Sequence, residues 1–182
     1  MRGYGLEHEI EDYFIKLDGK TRETSIFERS FRVPFSGMLS SLKGDVRTNI
    51  KLFPKQLMIE CKERKSAGYT LTVESVWIEK LFTEADAESM VPVLCLSFKG
   101  AKDRIYVVVR RKDFSFYGRT LVFPTEIGNY KLERERIREG AFLFPNKVVV
   151  PWRYFREFLE GYYELAKKTS GHLSAEQIHE CR

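Results

Sequence analysis

The sequence is poor in cysteine: Cys61, Cys95 and Cys181 are the whole set in 182 residues, odd in number and without a CxxC spacing. That argues against a zinc centre and against a disulfide framework, and it fits a reducing cytoplasm. Cys61 and Cys95 stand in apolar, strand-like runs and read as small buried hydrophobes. No apolar run approaches the ~18 residues of a membrane-crossing helix, and the N-terminus lacks the apolar stretch of a standard secretory signal. No membrane partner is therefore expected. Neither GxxxxGK[ST] nor GxGxxG occurs, so no nucleotide cofactor is expected. Histidine is scarce, and His172 and His179 have no metal-ligand companions; residues 169–182 read as a polar tail. No internal repeat or low-complexity linker interrupts the chain.

What remains is ordinary globular material, 43% hydrophobic and 31% charged, long enough for one domain with an elaboration. The net charge of +5 is a modest bias towards polyanions. Its distribution is more telling: Lys43, Arg47, Lys51, Lys55, Lys62, Arg64 and Lys65 crowd into residues 43–65.

That region also organises the chain. From Ser36 to Lys65, two apolar-leaning runs flank Phe53-Pro54-Lys55-Gln56, which predicts a β-hairpin. In the second strand, Leu57, Ile59 and Cys61 share one face, and Met58, Glu60 and Lys62 the other. Asp45 stands where the first strand begins, so antiparallel pairing brings it towards Glu60 and Lys62. Two carboxylates and a lysine then converge at a sheet edge. Such a pair can hold Mg²⁺, an oxygen-seeking ion that lowers the pKa of water and clamps phosphate oxygens. A lysine beside it orients that water or stabilises developing negative charge. A lone Glu-x-Lys is more often the solvated face of a strand. Here it interrupts an apolar run, LMIEC, with an aspartate across the hairpin.

Residues 4–17 predict an amphipathic helix with Leu6, Ile10, Tyr13, Phe14 and Leu17 on its stripe, closed by Asp18-Gly19. Glu7 and Glu9 flank the stripe on opposite sides, and periodicity does not choose between them. Glu11 is expected further out, and His8 pointing away. Residues 25–35 predict a strand with Phe27, Phe31 and Val33 inward. Arg29 and Arg32, near its end, suit bidentate phosphate binding; the plain alternative is an ion pair with Glu28 or a neighbour. Residues 36–44 and 66–68 read as loops. Thr72 caps a helix running to Asp86, with Val73, Val76, Trp77, Leu81 and Ala85 inward and Glu74 and Lys80 on its flanks. Strands follow at 92–98 and 104–111, joined by a turn at 99–103. Short strands are expected around 119–123 and 141–150, separated by the charged run 131–139. Pro151 then opens a helix with Trp152, Phe155, Leu159, Tyr162 and Leu165 on its stripe, most simply core. The expected architecture is α/β, a mixed central sheet flanked by helices. Residues 1–111 form the core and 112–182 a C-terminal elaboration.

At Gly44-Asp45 … Glu60-Cys61-Lys62, with Glu7 before them, the chain resembles the PD-(D/E)xK nuclease superfamily. More narrowly it resembles the archaeal-type Holliday junction resolvases and their phage relatives. Arg2-Gly3 precedes the helical Glu7, Arg32-Val33-Pro34-Phe35-Ser36-Gly37 matches the strand ending in Arg and Ser, and Thr72–Asp86 and Val91–Phe98 match the next helix and strand. The resemblance covers about residues 2–110. It departs at Asp45, which follows Gly instead of Pro, and at His8, where the family often has Arg.

The resemblance implies a PD-(D/E)xK endonuclease-like core with a C-terminal extension. It implies a homodimeric, Mg²⁺-dependent endonuclease, with Mn²⁺ able to substitute, that resolves four-way DNA junctions by paired nicks. The setting would be a prokaryotic cell or a phage-infected host. Asp45, Glu60 and Glu7 would be the metal ligands, Lys62 would position the water, and Arg32 and Ser36 would hold the scissile phosphate. Arg29, His8, Lys43, Arg64 and Lys65 complete the expected substrate-binding set. A C₂ dimer would match the near two-fold symmetry of branched DNA. Two other functions compete: a nuclease of the same fold acting on flaps or duplex, and a non-catalytic nucleic-acid-binding module.

Overall fold

The computed structural model describes residues 4–26, 28–33, 44–50, 55–65, 74–99, 105–116, 119–120 and 147–179. Helix α1 spans Tyr4–Leu17. It buries Leu6, Ile10 and Phe14 completely, one turn apart on one stripe, with Tyr13 and Leu17 at the margin. Its end is closed by Gly19 at φ +66°. The Gly19 N–H donates to the Lys16 carbonyl and the Lys20 N–H to the Ile15 carbonyl, a Schellman pairing.

Three strands follow: β1 (Phe31–Arg32), β2 (Val46–Arg47) and β3 (Leu57–Lys65). Helix α2 (Ser75–Ala87) leads to β4 (Val91–Lys99) and β5 (Ile105–Arg110). A 3₁₀ turn at Arg111–Phe114 precedes the small ribbon of β6 (Ser115–Phe116) and β7 (Arg119–Thr120). Strand β8 (Lys147–Pro151) runs into helix α3 (Trp152–His179). Among the described residues, six strands make one sheet in the order β1-β2-β3-β4-β5-β8. The β3–β4 pair is parallel and bridged by α2, and the other neighbours are antiparallel. The fold is thus α/β around a mixed sheet, with the expected order of helix, three strands, helix and two strands.

Period-two alternation divides the core between the two faces. Leu57, Ile59, Cys61, Val93, Cys95, Val107 and Val109 meet α1 and α3 on one side. Met58, Leu94, Leu96, Tyr106 and Val108 meet α2 on the other. The C-terminal third is tied into this core. Its β8 pairs with β5 from Tyr106↔Pro151 to Arg110↔Lys147. Trp152 packs edge-on against Tyr13 and Phe14, with ring centroids 5.0 and 6.4 Å away. Phe155, Leu159 and Tyr162 are buried as expected, joined by Tyr163 and Ala166.

Four local expectations are corrected. Of the strand expected over 25–35, Ser25, Ile26 and 28–30 are not strand: i→i+3 bonds from the Thr24 and Glu28 N–H groups and a Thr21 N–H bond to the Thr24 hydroxyl hold turns there and just before. The α2 stripe is Ile78, Leu81, Phe82 and Ala85, while Val76 is 62% exposed. The segment is apolar on two overlapping stripes, and packing against the sheet selects one. Pro151 ends the edge strand β8 instead of starting the helix, a place where its missing N–H is harmless. Residues 169–179 are not a separate tail but continue α3 past Gly171. Phe27, Pro34, Phe53-Pro54, Thr72-Val73, the turn at 100–104 and residues 121–146 lie outside the described residues.

Candidate active site

The site begins with Gly44, which adopts φ +78°. A Cβ there would sit 2.8 Å from Met58 Cγ and 3.2 Å from the Ile59 carbonyl oxygen, so both conformation and space call for glycine. This close approach delivers Asp45 to the edge of β3. The Asp45 N–H donates to the Ile59 carbonyl over 2.7 Å, and the Asp45 carbonyl accepts from Val33 over 2.8 Å. The carboxylate is buried, with Oδ2 accepting the Cys61 N–H at 2.7 Å. Among the described residues nothing hydrogen-bonds Oδ1.

The β2–β3 register pairs Val46 with Ile59, which places Asp45 opposite Glu60. Two residues along the same face, the Lys62 ammonium donates to Glu60 Oε1. Glu7 of α1 completes the group, since its carboxyl senses Asp45, Glu60, Arg32 and Lys62. Glu9 is exposed.

The electrostatics describe a place short of positive charge. Burial, then the Asp45 charge, raises the Glu60 carboxyl above the ordinary glutamate range, against the pull of Lys62 and Lys80. Burial, then Asp45, also raises Glu7, with Glu60 adding to the effect and Arg32 and Lys62 opposing it. For Lys62, burial alone pushes the pKa down, but the hydrogen bond and charge of Glu60, with Asp45 behind them, leave it raised. Lys62 is therefore an ammonium at neutral pH.

Arg32 reaches the site beside His8, with its Nη1 2.9 Å from His8 Nε2. His8 does not point away from the site. Its Nδ1 lies 2.8 Å from Arg22 Nη2. An imidazole that keeps one ring proton accepts at one nitrogen, so the two guanidiniums compete for it. Arg29 is committed elsewhere. It donates to Glu11 Oε1 at 2.9 Å and to the carbonyls of Thr24 and Ser30.

Glu11, expected further out, is only 4% exposed. It also accepts the Arg32 N–H at 3.2 Å and lies 3.5 Å from Arg22. Glu11 is thus the hub that fixes β1 and Arg32 against α1. The signal for it was the pair Arg22 and Arg29, with one turn of α1 able to answer both. Lys80 of α2, whose charge reaches Glu60, was also missed. Ser36 and Lys43 lie outside the described residues. For Arg64 and Lys65 the structure describes the backbone, as the end of β3.

The donor set tests whether a divalent cation suits the place. Asp45, Glu60 and Glu7 offer hard carboxylate oxygens, and Glu60 and Glu7 are raised by burial first and then by neighbours of like charge, which a cation would relieve. Among the described residues no three acidic, histidine or cysteine side chains already form a closed cage. Such a donor set would suit an ion that keeps several waters.

No protein-family model matches the chain, and no curated protein matches it. Among solved structures, the chain is similar to a Holliday junction resolvase from the archaeal hyperthermophile Archaeoglobus fulgidus. The identity is 19% and the TM-score 0.40, over 57% of this chain and 72% of the resolvase. No helix among the described residues is long and apolar enough to cross a membrane. A likeness this distant carries no argument about chemistry, which rests on the residues of the site.

Proposed function

We propose that the chain is a divalent-metal-dependent endonuclease that nicks branched DNA, with four-way junctions its preferred substrate. The observation that carries this reading is the register placing Asp45 opposite Glu60, with the Lys62 ammonium on Glu60 and the Glu7 carboxyl in electrostatic reach. In this reading Asp45 and Glu60 hold Mg²⁺ or Mn²⁺, and Glu7 joins them directly or through water. The chemistry such a cation supplies is a more acidic attacking water and a neutralised phosphate charge. Lys62 stays protonated, orients that water and faces the charge that develops on the phosphate. Arg32, released from His8, grips the scissile phosphate, and Ser36 is assigned beside it. Lys43, Arg64 and Lys65 are assigned to binding a DNA arm.

Junction preference would come from shape and phosphate contacts, not base edges. A C₂ dimer in the cytoplasm would present two such sites for paired nicks. The test is a panel of four-way junction, flap, single strand and duplex, with Mg²⁺ or Mn²⁺, run on the wild type and Asp45→Asn. The variant should lose nicking and keep junction affinity. Equal or faster cutting of plain duplex overturns the junction preference. Salt-sensitive junction binding with no nicking at any metal level makes the chain a binding module.

A further inference from the structure

The cations around the sheet are mostly spoken for. Arg29 answers Glu11, Arg47 lies 2.7 Å from Glu88, Arg110 grips Asp86, and Lys62 bonds Glu60. Lys80 differs. It is exposed on α2, and among the described residues it makes no ion pair or hydrogen bond. Its charge nevertheless reaches Glu60.

The crossover explains why. Helix α2 returns the chain from the end of β3 to the start of β4, so it runs against β3. Ala85 is anchored low on the sheet. Its carbonyl accepts the Met90 N–H, and the next residue, Val91, pairs with Leu57. From that level α2 climbs roughly 7.5 Å back to Lys80, while β3 climbs roughly 10 Å from Leu57 to Glu60. Glu60 and Lys62 share the face of Met58, which packs under α2. Lys80 thus stands at the height of the site, on the outer side of the helix that covers the face these two residues share.

Resting on the endonuclease reading above, we propose that Lys80 is a substrate-binding residue of this site, taking the phosphate next to the one that is cut. Lys62, bonded to Glu60, is the inner cation and serves the reacting phosphate. Lys80 is the outer one, on a long solvated stem that extends to the backbone of an incoming arm. A lysine suits that task, because a flexible point charge can follow a backbone of changing path.

The test uses a labelled four-way junction with Mg²⁺, and Lys80→Ala, Lys80→Arg and the wild type across a salt series. Lys80 is exposed, so unchanged thermal midpoints are expected and would show that folding is intact. Lys80→Ala should raise KM and Kd by roughly 3- to 10-fold, leave kcat within about twofold, and reduce the log–log salt slope by about 0.9. Lys80→Arg should restore all three. Nicking by Lys80→Ala with wild-type KM and salt slope overturns this role while the endonuclease reading stands. A fall in kcat at constant KM also overturns it, by placing Lys80 in the chemistry. If the wild type binds without nicking but Lys80→Ala still flattens the salt slope, the phosphate contact survives and the endonuclease reading falls.

Discussion

Glu7→Gln should make the protein more stable and less active, and Glu9→Gln should do neither. The fold raises the Glu7 carboxyl above the ordinary value of 4.5, first through burial, then through the Asp45 charge, with Glu60 adding to it. A carboxyl that binds its proton more tightly in the fold than in the unfolded chain lowers stability wherever it is ionised. The deficit is complete above the folded pKa and fades as pH falls towards 4.5. Gln keeps the shape and removes the charge. Glu7 is partly exposed, so solvent screens the effect, and a gain of about 0.5–1 kcal/mol at pH 7.5 is reasonable. In a chain of this size that raises the thermal midpoint by about 1–4 °C. Calorimetry in EDTA at pH 7.5 and near pH 4 checks the sign, because the advantage should shrink at the lower pH. On the endonuclease reading, junction nicking should fall at least about tenfold, since Glu7 would tune the proposed metal site. A lower midpoint for Glu7→Gln at pH 7.5, or nicking lost in Glu9→Gln but not in Glu7→Gln, would refute the reasoning.

Two further perturbations probe how the site is held. Gly44→Ala forces a left-handed residue to carry a Cβ against Met58 Cγ and the Ile59 carbonyl, and should cost about 2–3 kcal/mol in denaturant unfolding. Because the same turn delivers Asp45, any fraction that folds should nick poorly even at saturating Mg²⁺. Glu11→Gln leaves Arg29 largely buried without its counter-charge and should cost about 2–4 kcal/mol by the same assay. Gln keeps an acceptor for the Arg32 N–H but not the charge that also holds Arg22 and Arg29, so β1 should loosen and junction binding weaken, read by anisotropy below the new midpoint.

The sheet was legible where period and length agreed. LMIECKERK carries its apolar residues on alternating faces, and the structure divides those faces between the two core layers. The helix α1 was legible for the same reason, with a 3.6-residue stripe and a glycine stop. Legibility failed where two readings satisfied the same pattern. In the sequence around α2, Val73-Val76-Trp77 and Ile78-Leu81-Phe82 both make stripes; within α2 itself the sheet selects the second and leaves Val76 exposed. Strand β1 failed differently. The alternation in SIFERSFRV is real, but the threonine and serine groups before it offer local turns that win over an extended edge.

The site divides along the same line. The convergence of Asp45, Glu60 and Lys62 was readable because a hairpin register is short-range and discrete: a one-residue slip would turn Glu60 to the other face. Glu7 was not separable from Glu9, since both border the stripe and only the docking angle of α1 favours one. Glu11 was misplaced because a carboxylate on a buried flank looks like any solvated glutamate until its arginines are placed. Lys80 is harder still. It is 18 positions after Lys62 in sequence, and no local pattern marks it among exposed lysines. It becomes visible once a parallel β3–β4 pair requires α2 to run back over the strand that carries Glu60. What sequence withholds about such a site is therefore specific: the charges set by crossover geometry, which belong to the fold before they belong to any motif.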